Sequence, residues 1–376
     1  MAQAQPPRLR ITEPGEAAQI IPYLVGFTPE ESLVATIFQN GRVQLTARVD
    51  LADIQPTGVV EGLLDRMLDR FPNSGVFAVA YTADHQAGWN LLARCDEWLS
   101  DGCQSMLVDA DHWHTPDGNT GPVDLYGTVA AQATYYGLQR LGSRADLAAR
   151  FDSAPDSDQL DRQVDTAIAG LPEPGQTDKI LTLTRTLIER NLPPDADADA
   201  DAHRADHSPA LDPREAIQLA VLVQHPAARD LALLSIDRDN ATRHLQLWQA
   251  VINASPSQGA DMPLYLAGMA AWVSGDGASA TIAADRVREA DTGQDPAHPV
   301  QFLEGLIDQV VSPSMWPPLR DTILFSTDQA VRSELDRPAD APAPHPTPAG
   351  WPPTPKASGR TPEHGTRKPP SPGITI

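Results

Sequence analysis

Residues 32–50 have the sequence SLVATIFQNGRVQLTARVD, which contains a strong signal for a β-hairpin. Ser32–Gln39 and Arg42–Asp50 are rich in the residue types that favour strands. Between them, Asn40 and Gly41 tolerate the positive φ angles of a type I′ turn, whose twist matches that of two antiparallel strands. This stretch therefore predicts two paired strands.

A strand–helix–strand unit follows the hairpin. Val76–Tyr81 is a short, nearly continuous apolar run, which is typical of a strand covered on both faces. Gln104–Asp109 predicts the next strand, and the apolar residues between positions 89 and 99 indicate a helix that connects the two. We expect Val76–Tyr81 to be a central strand beside Gln104–Asp109. The fold class predicted for residues 1–155 is an α/β domain, with a mixed sheet that contains a hairpin and a βαβ unit.

After Gly127 the strand signals fade and helical patterns replace them. We expect a helical connector over residues 156–211, with one helix near Asp178–Leu192. An all-helical domain should then cover residues 212–336, and its last helix is predicted over Leu319–Leu335.

Two segments lack the pattern of a packed core. Residues 195–202 alternate Asp and Ala strictly, and like charges at every second position predict a solvated acidic linker. Residues 337–376 are rich in Pro, Ala and Thr, which predicts a disordered tail.

The charge of the chain limits its partners. The 376 residues carry 28 Lys and Arg against 50 Asp and Glu, a net charge of -22. Nucleic-acid surfaces need clustered Lys and Arg, and anionic membranes repel an acidic protein. We therefore expect no nucleic-acid partner and no membrane partner.

Cysteine use and hydropathy indicate a cytoplasmic protein. Cys95 and Cys103 cannot form a disulfide framework. Met1–Arg10 lacks the apolar core of a signal peptide. The longest apolar run, Leu264–Val273, is about half the roughly 20 residues that a membrane-spanning helix needs.

Several motifs together resemble one known family. They are IPYLVGFTPEESLV at residues 21–34, RVDL at residues 48–51, Arg229–Asp230, and AAWVSGDGA at residues 270–278. They resemble an actinobacterial family known as domain of unknown function 4192, and the likeness spans most of the chain. The resemblance implies an architecture and an actinobacterial host, and it implies no activity. The family often carries a paired cysteine before Pro and Gly where this chain has His114–Gly118, so shared metal or thiol chemistry is not implied.

The candidate site lies at the carboxyl ends of the two central strands. Six side chains follow these strand ends: Asp84, His85, Asp109, Asp111, His112 and His114. Ligands of open α/β sheets bind outside the carboxyl ends of strands, so we expect these groups to approach one another in a partly closed concavity. Imidazoles and carboxylates together suit zinc or general acid–base chemistry. Alternatively, Asp84 caps the following helix and the other groups line an exposed polar loop.

Two further motifs have competing interpretations. Arg48 and Asp50 lie on one face of a predicted strand, where a surface ion pair is favoured over a substrate clamp. The spacing of Gly268, Gly275 and Asp276 is similar to that of a tetratricopeptide helical hairpin. The favoured alternative is a plain helix end at Gly275, a cap at Asp276 and a core tryptophan at residue 272.

Two functions from different classes follow. The sequence favours a non-enzymatic protein- or ligand-binding module with a scaffold or regulatory role, for which a protein partner is one candidate. The alternative is a metal-assisted hydrolase that uses the Asp and His cluster. The sequence identifies no catalytic residue and no cofactor.

Overall fold

The computed structural model describes residue 11, residues 13–54, 58–99, 103–135, 138, 140–194 and 211–289, and residues 298–338. The predicted acidic linker at residues 195–202 lies outside these ranges. So does the predicted disorder of the tail, from residue 339 onwards.

The N-terminal part is built on one mixed sheet. Its strands are β1 (Ser32–Gln39), β2 (Arg42–Asp50), β3 (Gly75–Tyr81), β4 (Gln104–Asp109), β5 (His112–His114) and β6 (Thr120–Pro122). The order across the sheet is β2-β1-β3-β4-β5-β6. The β3–β4 pair is parallel, and the other neighbouring pairs are antiparallel.

The predicted hairpin is confirmed. β1 pairs with β2 from Ser32 opposite Asp50 to Gln39 opposite Arg42. At the turn, Asn40 has φ 54° and Gly41 has φ 71°, the two positive angles that a type I′ turn requires.

The predicted central strand is also confirmed. β3 lies between β1 and β4, and Ala78, Val79 and Ala80 are fully buried. Both faces of β3 are covered by helices, which explains why its sequence has no polar face.

Helices cover the two faces of the sheet. They are α1 (Pro14–Val25), α2 (Val59–Arg70) and α3 (His85–Trp98), and a fourth helix, α4 (Thr128–Tyr135), packs against α1. α2 and α3 pack on one face, where Leu64 and Leu92 share a hydrophobic cluster with Leu107 and other residues of the sheet. α1 packs on the other face, where Ile21 joins a core that includes Val79. The result is an α/β sandwich in which α3 connects β3 to β4.

The rest of the described chain is helical, as predicted. Its helices are α5 (Arg144–Ala148), α6 (Asp158–Ile168), α7 (Thr177–Asn191), α8 (Pro213–Leu222), α9 (Pro226–Leu234), α10 (Ala241–Ala254), α11 (Asp261–Ser274), α12 (Gly277–Glu289), α13 (Val300–Asp308), α14 (Trp316–Ser326) and α15 (Gln329–Leu335). α11 is central, since every residue from 262 to 273 is buried. None of the helices in the described ranges has the length and apolar character to cross a membrane.

Three sequence-based expectations about helices and strands were wrong. The single helix predicted over Leu319–Leu335 is two helices, because Asp328 caps a new helix by accepting a hydrogen bond from the Ala330 N–H at 2.8 Å. The connector contains α6 in addition to the predicted helix. The residues after Asp109 form β5 and β6 rather than a loop, since antiparallel pairing of β5 with β4 and of β6 with β5 satisfies their backbone groups.

The sheet and the helices belong to one compact unit that extends to Arg337. Phe27, which follows α1, is 2% exposed and packs in the core of the helical region. The Thr28 N–H donates to the Leu141 carbonyl at 3.2 Å in the same connection. Whether the two parts of this unit fold as separate domains stays a prediction.

Candidate functional site

The first turn of α3 fixes the position of His85. Asp84 is the N-cap of the helix and accepts a hydrogen bond from the Ala87 N–H at 3.0 Å. The Asp84 N–H donates to Thr82 Oγ1 at 3.1 Å, which holds the cap to the end of β3. His85 is therefore the first helical residue and lies at the carboxyl edge of the sheet.

A close contact brings this turn towards β4. A Cβ atom at Gly88 would lie 2.6 Å from Leu107 Cδ1 and 3.1 Å from Thr82 Cγ2. Any residue larger than glycine at this position would force the Leu107 side chain to move.

The β4–β5 hairpin supplies the facing side chains. Asp109 ends β4 and pairs with His112 across a tight turn, and Leu107 pairs with His114. Residues opposite one another in an antiparallel pair share a face, so Asp109, His112 and His114 lie on one side of the hairpin. Leu107 packs in the core beneath α3, which places that side towards His85.

Three of the predicted residues form the centre of the cluster. His85 Nε2 lies 2.5 Å from Asp109 Oδ2, and His114 Nε2 lies 3.0 Å from the same oxygen. The two imidazole rings are 4.9 Å apart in an edge-on arrangement. A carboxylate can only accept, so both Nε2 atoms donate to Asp109.

The Asp109 carboxyl is ionised at neutral pH. Partial burial raises its pKa, but the hydrogen bonds and charges of His85 and His114 act in the opposite direction and outweigh burial. The pKa of Asp109 is therefore lowered from its usual value. The cluster thus holds one permanent negative charge between two imidazoles.

Asp111 and His112 form a second pair beside this centre. His112 Nδ1 lies 2.9 Å from Asp111 Oδ1. The pair is more open to solvent than the centre, with side-chain exposures of 81% for Asp111 and 50% for His112. The exposures of His85, His114 and Asp109 are 47%, 26% and 24%.

Asp84 stands apart from the other five predicted residues. Its carboxylate is used as the cap of α3, which is the alternative interpretation given for it. The remaining five contribute to two groups that share Asp109, one with His85 and His114 and one with Asp111 and His112. Within each group the possible metal-ligating atoms all lie within 4.8 Å of one another.

Sequence reasoning missed Glu31, which lies at the same edge. Thr82 Oγ1 donates to the Glu31 carboxylate, with oxygen–oxygen distances of 3.0 and 3.1 Å. The register places Ser32 opposite Tyr81, so the residue before β1 must lie near the residue after β3. The antiparallel pairing of β1 with β3 is the signal that would have identified it.

The other two motifs take their favoured interpretations. Arg48 donates to both carboxylate oxygens of Asp50, at 3.1 and 2.5 Å, as an ion pair. Gly275 ends α11 with φ 91°, and Asp276 Oδ1 accepts from the Ser279 N–H at 3.0 Å as the next cap. Trp272 is 4% exposed and belongs to the core.

The ligand atoms of the cluster are ones that could hold a cation. Two imidazole nitrogens and one carboxylate oxygen match the ligand types of zinc, and three protein ligands leave a fourth position for water or another ligand. The half-exposed edge of His85 faces solvent, where such a ligand would arrive.

Comparison with known proteins adds a family and no activity. A family model described as Domain of unknown function (DUF4192) matches residues 14–313. No curated protein and no solved structure matches the chain.

Proposed function

The chain belongs to the family described as Domain of unknown function (DUF4192), and since that description names no activity, we propose its function from the cluster at the sheet edge. We propose a metal-dependent, non-enzymatic ligand-binding module. His85, Asp109 and His114 would hold one divalent ion of the zinc class. The open side of that ion would take the ligand.

A single observation carries the proposal: two imidazole Nε2 atoms converge on one carboxylate oxygen, at 2.5 and 3.0 Å. Zinc bonds to nitrogen and oxygen are about 2.0–2.2 Å long, so tetrahedral ligand atoms are roughly 3.3 Å apart. The three side chains therefore need only small rotations to surround an ion. Each Nε2 would lose its proton or pass it to Nδ1, because the ligating nitrogen must be unprotonated.

The backbone supports this arrangement. His85 is fixed by a capped helix, and Asp109 and His114 belong to paired strands. Ligands on regular elements keep their separation better than ligands on loops, so the ion would meet a largely preformed site.

The test is zinc binding by the metal-free, full-length protein, measured by calorimetry and by native mass spectrometry. His85→Ala, His114→Ala and Asp109→Asn should each weaken the tightest zinc by at least about 100-fold, since removing only an outer partner of a ligand costs 10–100-fold. Asp69→Asn is the matched control, because Asp69 is an exposed carboxylate on α2. Unchanged zinc affinity in all three variants would rule the proposal out.

Metal-assisted hydrolysis is the second candidate. The observation that favours it is the solvent exposure of His85, because an ion with three protein ligands and an open position can activate water. Zinc-loaded protein should then hydrolyse activated esters or phosphoesters, and His85→Ala should not. Tight zinc binding without turnover would exclude the hydrolase function and support only the binding function.

A protein partner stays a prediction for the helical region. In the α11–α12 hairpin that resembles a tetratricopeptide unit, α11 offers little surface, because it is buried from residue 262 to residue 273. A partner would have to contact α12 or other helices of the region.

A further inference from the structure

We propose that the cluster holds a second divalent ion, bound by Asp109, Asp111 and His112, with the Asp109 carboxylate bridging the two ions. This inference rests on the proposed function, because the first ion would be the one held by His85, Asp109 and His114. The centre would then contain two metal ions rather than one.

The hairpin geometry places the second set of ligands. His112 is directly opposite Asp109 in the β4–β5 register, and a turn of only Ala110 and Asp111 joins them. Ala110 has φ 35°, the left-handed conformation that such a short turn needs. The candidate ligand atoms of Asp109, Asp111 and His112 consequently all lie within 4.8 Å of one another.

Asp109 can serve both ions because its two oxygens have different surroundings. Oδ2 receives the hydrogen bonds from His85 and His114. Among the described residues, no hydrogen bond reaches Oδ1. A carboxylate that binds one ion through each oxygen would hold them at the separation of about 3.5–4 Å that is usual for two-metal sites.

The charges also favour a second cation. Asp111 is a second carboxylate beside Asp109, and within the described part of the chain the ion-pair partners of both are histidines rather than Lys or Arg. One divalent ion at the first position would leave the exposed Asp111 carboxylate paired with His112 and with no Lys or Arg of the described residues. A second ion would compensate that charge and replace the His112–Asp111 hydrogen bond with two metal–ligand bonds.

The two positions should differ in affinity and in metal preference. The first has two imidazoles and one carboxylate, which suits zinc, while the second has one imidazole and two carboxylates, which suits harder ions such as Mn²⁺ as well. His112 and Asp111 are also more exposed than His85 and His114, so their side chains are held less firmly. The second ion should be the weaker one.

The experiment measures zinc stoichiometry of the full-length protein, starting from metal-free samples. The expected result is two zinc ions per chain, with distinct affinities. Asp111→Asn and His112→Ala should each leave one ion, with its affinity changed by less than about 10-fold, the lower end of the effect of an outer partner. Asp109→Asn should leave none, and Asp69→Asn should leave two.

The outcomes separate this inference from the function on which it rests. One ion per chain that His85→Ala removes and His112→Ala does not would overturn the second ion and leave the first in place. No zinc binding would overturn both. Two ions that persist in Asp111→Asn and His112→Ala would put the second ion elsewhere and also overturn the inference. With Mn²⁺ at both positions, the electron paramagnetic resonance spectrum should show two coupled ions, and two isolated signals would contradict the bridge.

Discussion

At the scale of single residues, His244 on α10 shows how strongly burial changes the pKa of a side chain. The side chain is 1% exposed, and its Nδ1 atom has no hydrogen-bond partner among the described residues. Burial lowers the pKa of His244 to about 4, against the opposing charge of Asp237. The folded protein therefore keeps this imidazole neutral at a pH at which an unfolded chain would protonate it.

This histidine should make stability depend on pH. Between the unfolded pKa of 6.5 and the folded pKa of about 4, the unfolded state binds a proton that the folded state does not. The neutral His244 therefore contributes fully to the free energy of unfolding above pH 6.5. This contribution is lost as the pH falls towards 4, by up to about 3 kcal/mol. Urea unfolding at pH 7.5, 6 and 5 should show a smaller loss in His244→Leu than in the natural protein.

The control for this measurement lies on the same helix. Gln246 is exposed on α10, so Gln246→Ala should keep the full pH dependence. If His244→Leu and the natural protein lose stability equally between pH 7.5 and 5, His244 does not titrate as argued.

The candidate site is also decided at this scale. The sequence identified Asp109 and the four residues that converge around it, because the carboxyl ends of neighbouring strands meet at one edge of the sheet. It could not separate the cap Asp84 from the others, since both roles follow from the same position after β3. The difference in role depends on the direction of the Asp84 side chain, which caps α3.

At the scale of elements, the junction of α11 and α12 depends on a left-handed residue. Gly275 has φ 91°, and the following Asp276 N–H donates to the Ala271 carbonyl at 2.8 Å, closing the helix end. This conformation is unfavourable for any residue with a Cβ atom. Gly277, two residues later, lacks a left-handed φ and has open space around it.

The two glycines should therefore respond in opposite directions. Gly275→Ala should lower the free energy of unfolding by about 1–2 kcal/mol, because it forces alanine into the left-handed region. Gly277→Ala should raise it by up to about 1 kcal/mol, since alanine restricts the unfolded chain without strain. Thermal unfolding of both variants checks the pair, and equal effects would contradict the role given to the φ angle.

At the scale of the whole molecule, Phe27 connects the sheet to the helices. It follows α1, is 2% exposed and packs in the core of the helical region. The Arg48 side chain of β2 lies over the Phe27 ring, with its guanidinium carbon 5.4 Å from the ring centre. Phe27 thus contacts both the sheet and the core of the helical region.

Phe27→Ala should destabilise the protein by about 3–5 kcal/mol, as is usual for deletion of a buried aromatic ring. Phe325→Ala is the control, because Phe325 is 84% exposed and its removal should change stability by less than about 0.5 kcal/mol. Chemical denaturation followed by tryptophan fluorescence measures both. A loss below 1 kcal/mol for Phe27→Ala would show that the two parts do not depend on this contact.

The sequence by itself determined the elements whose causes are local. The Asn40–Gly41 turn needs only two residues that accept positive φ, and β3 needs only an unbroken apolar run. Such preferences belong to neighbouring residues, so they can be recognised without knowledge of the partners.

Only the tertiary structure decided the elements and contacts whose causes are distant in sequence. β5 and β6 have three residues each, too few for a period. They are strands because β4 offers β5 an edge to pair with, and β5 in turn offers one to β6. The contact of Glu31 with Thr82 joins residues 51 positions apart, and it follows from the register of β1 against β3. The cluster around Asp109 likewise required the hairpin and the first turn of α3 to meet, because pairing and packing, rather than local preference, set those distances.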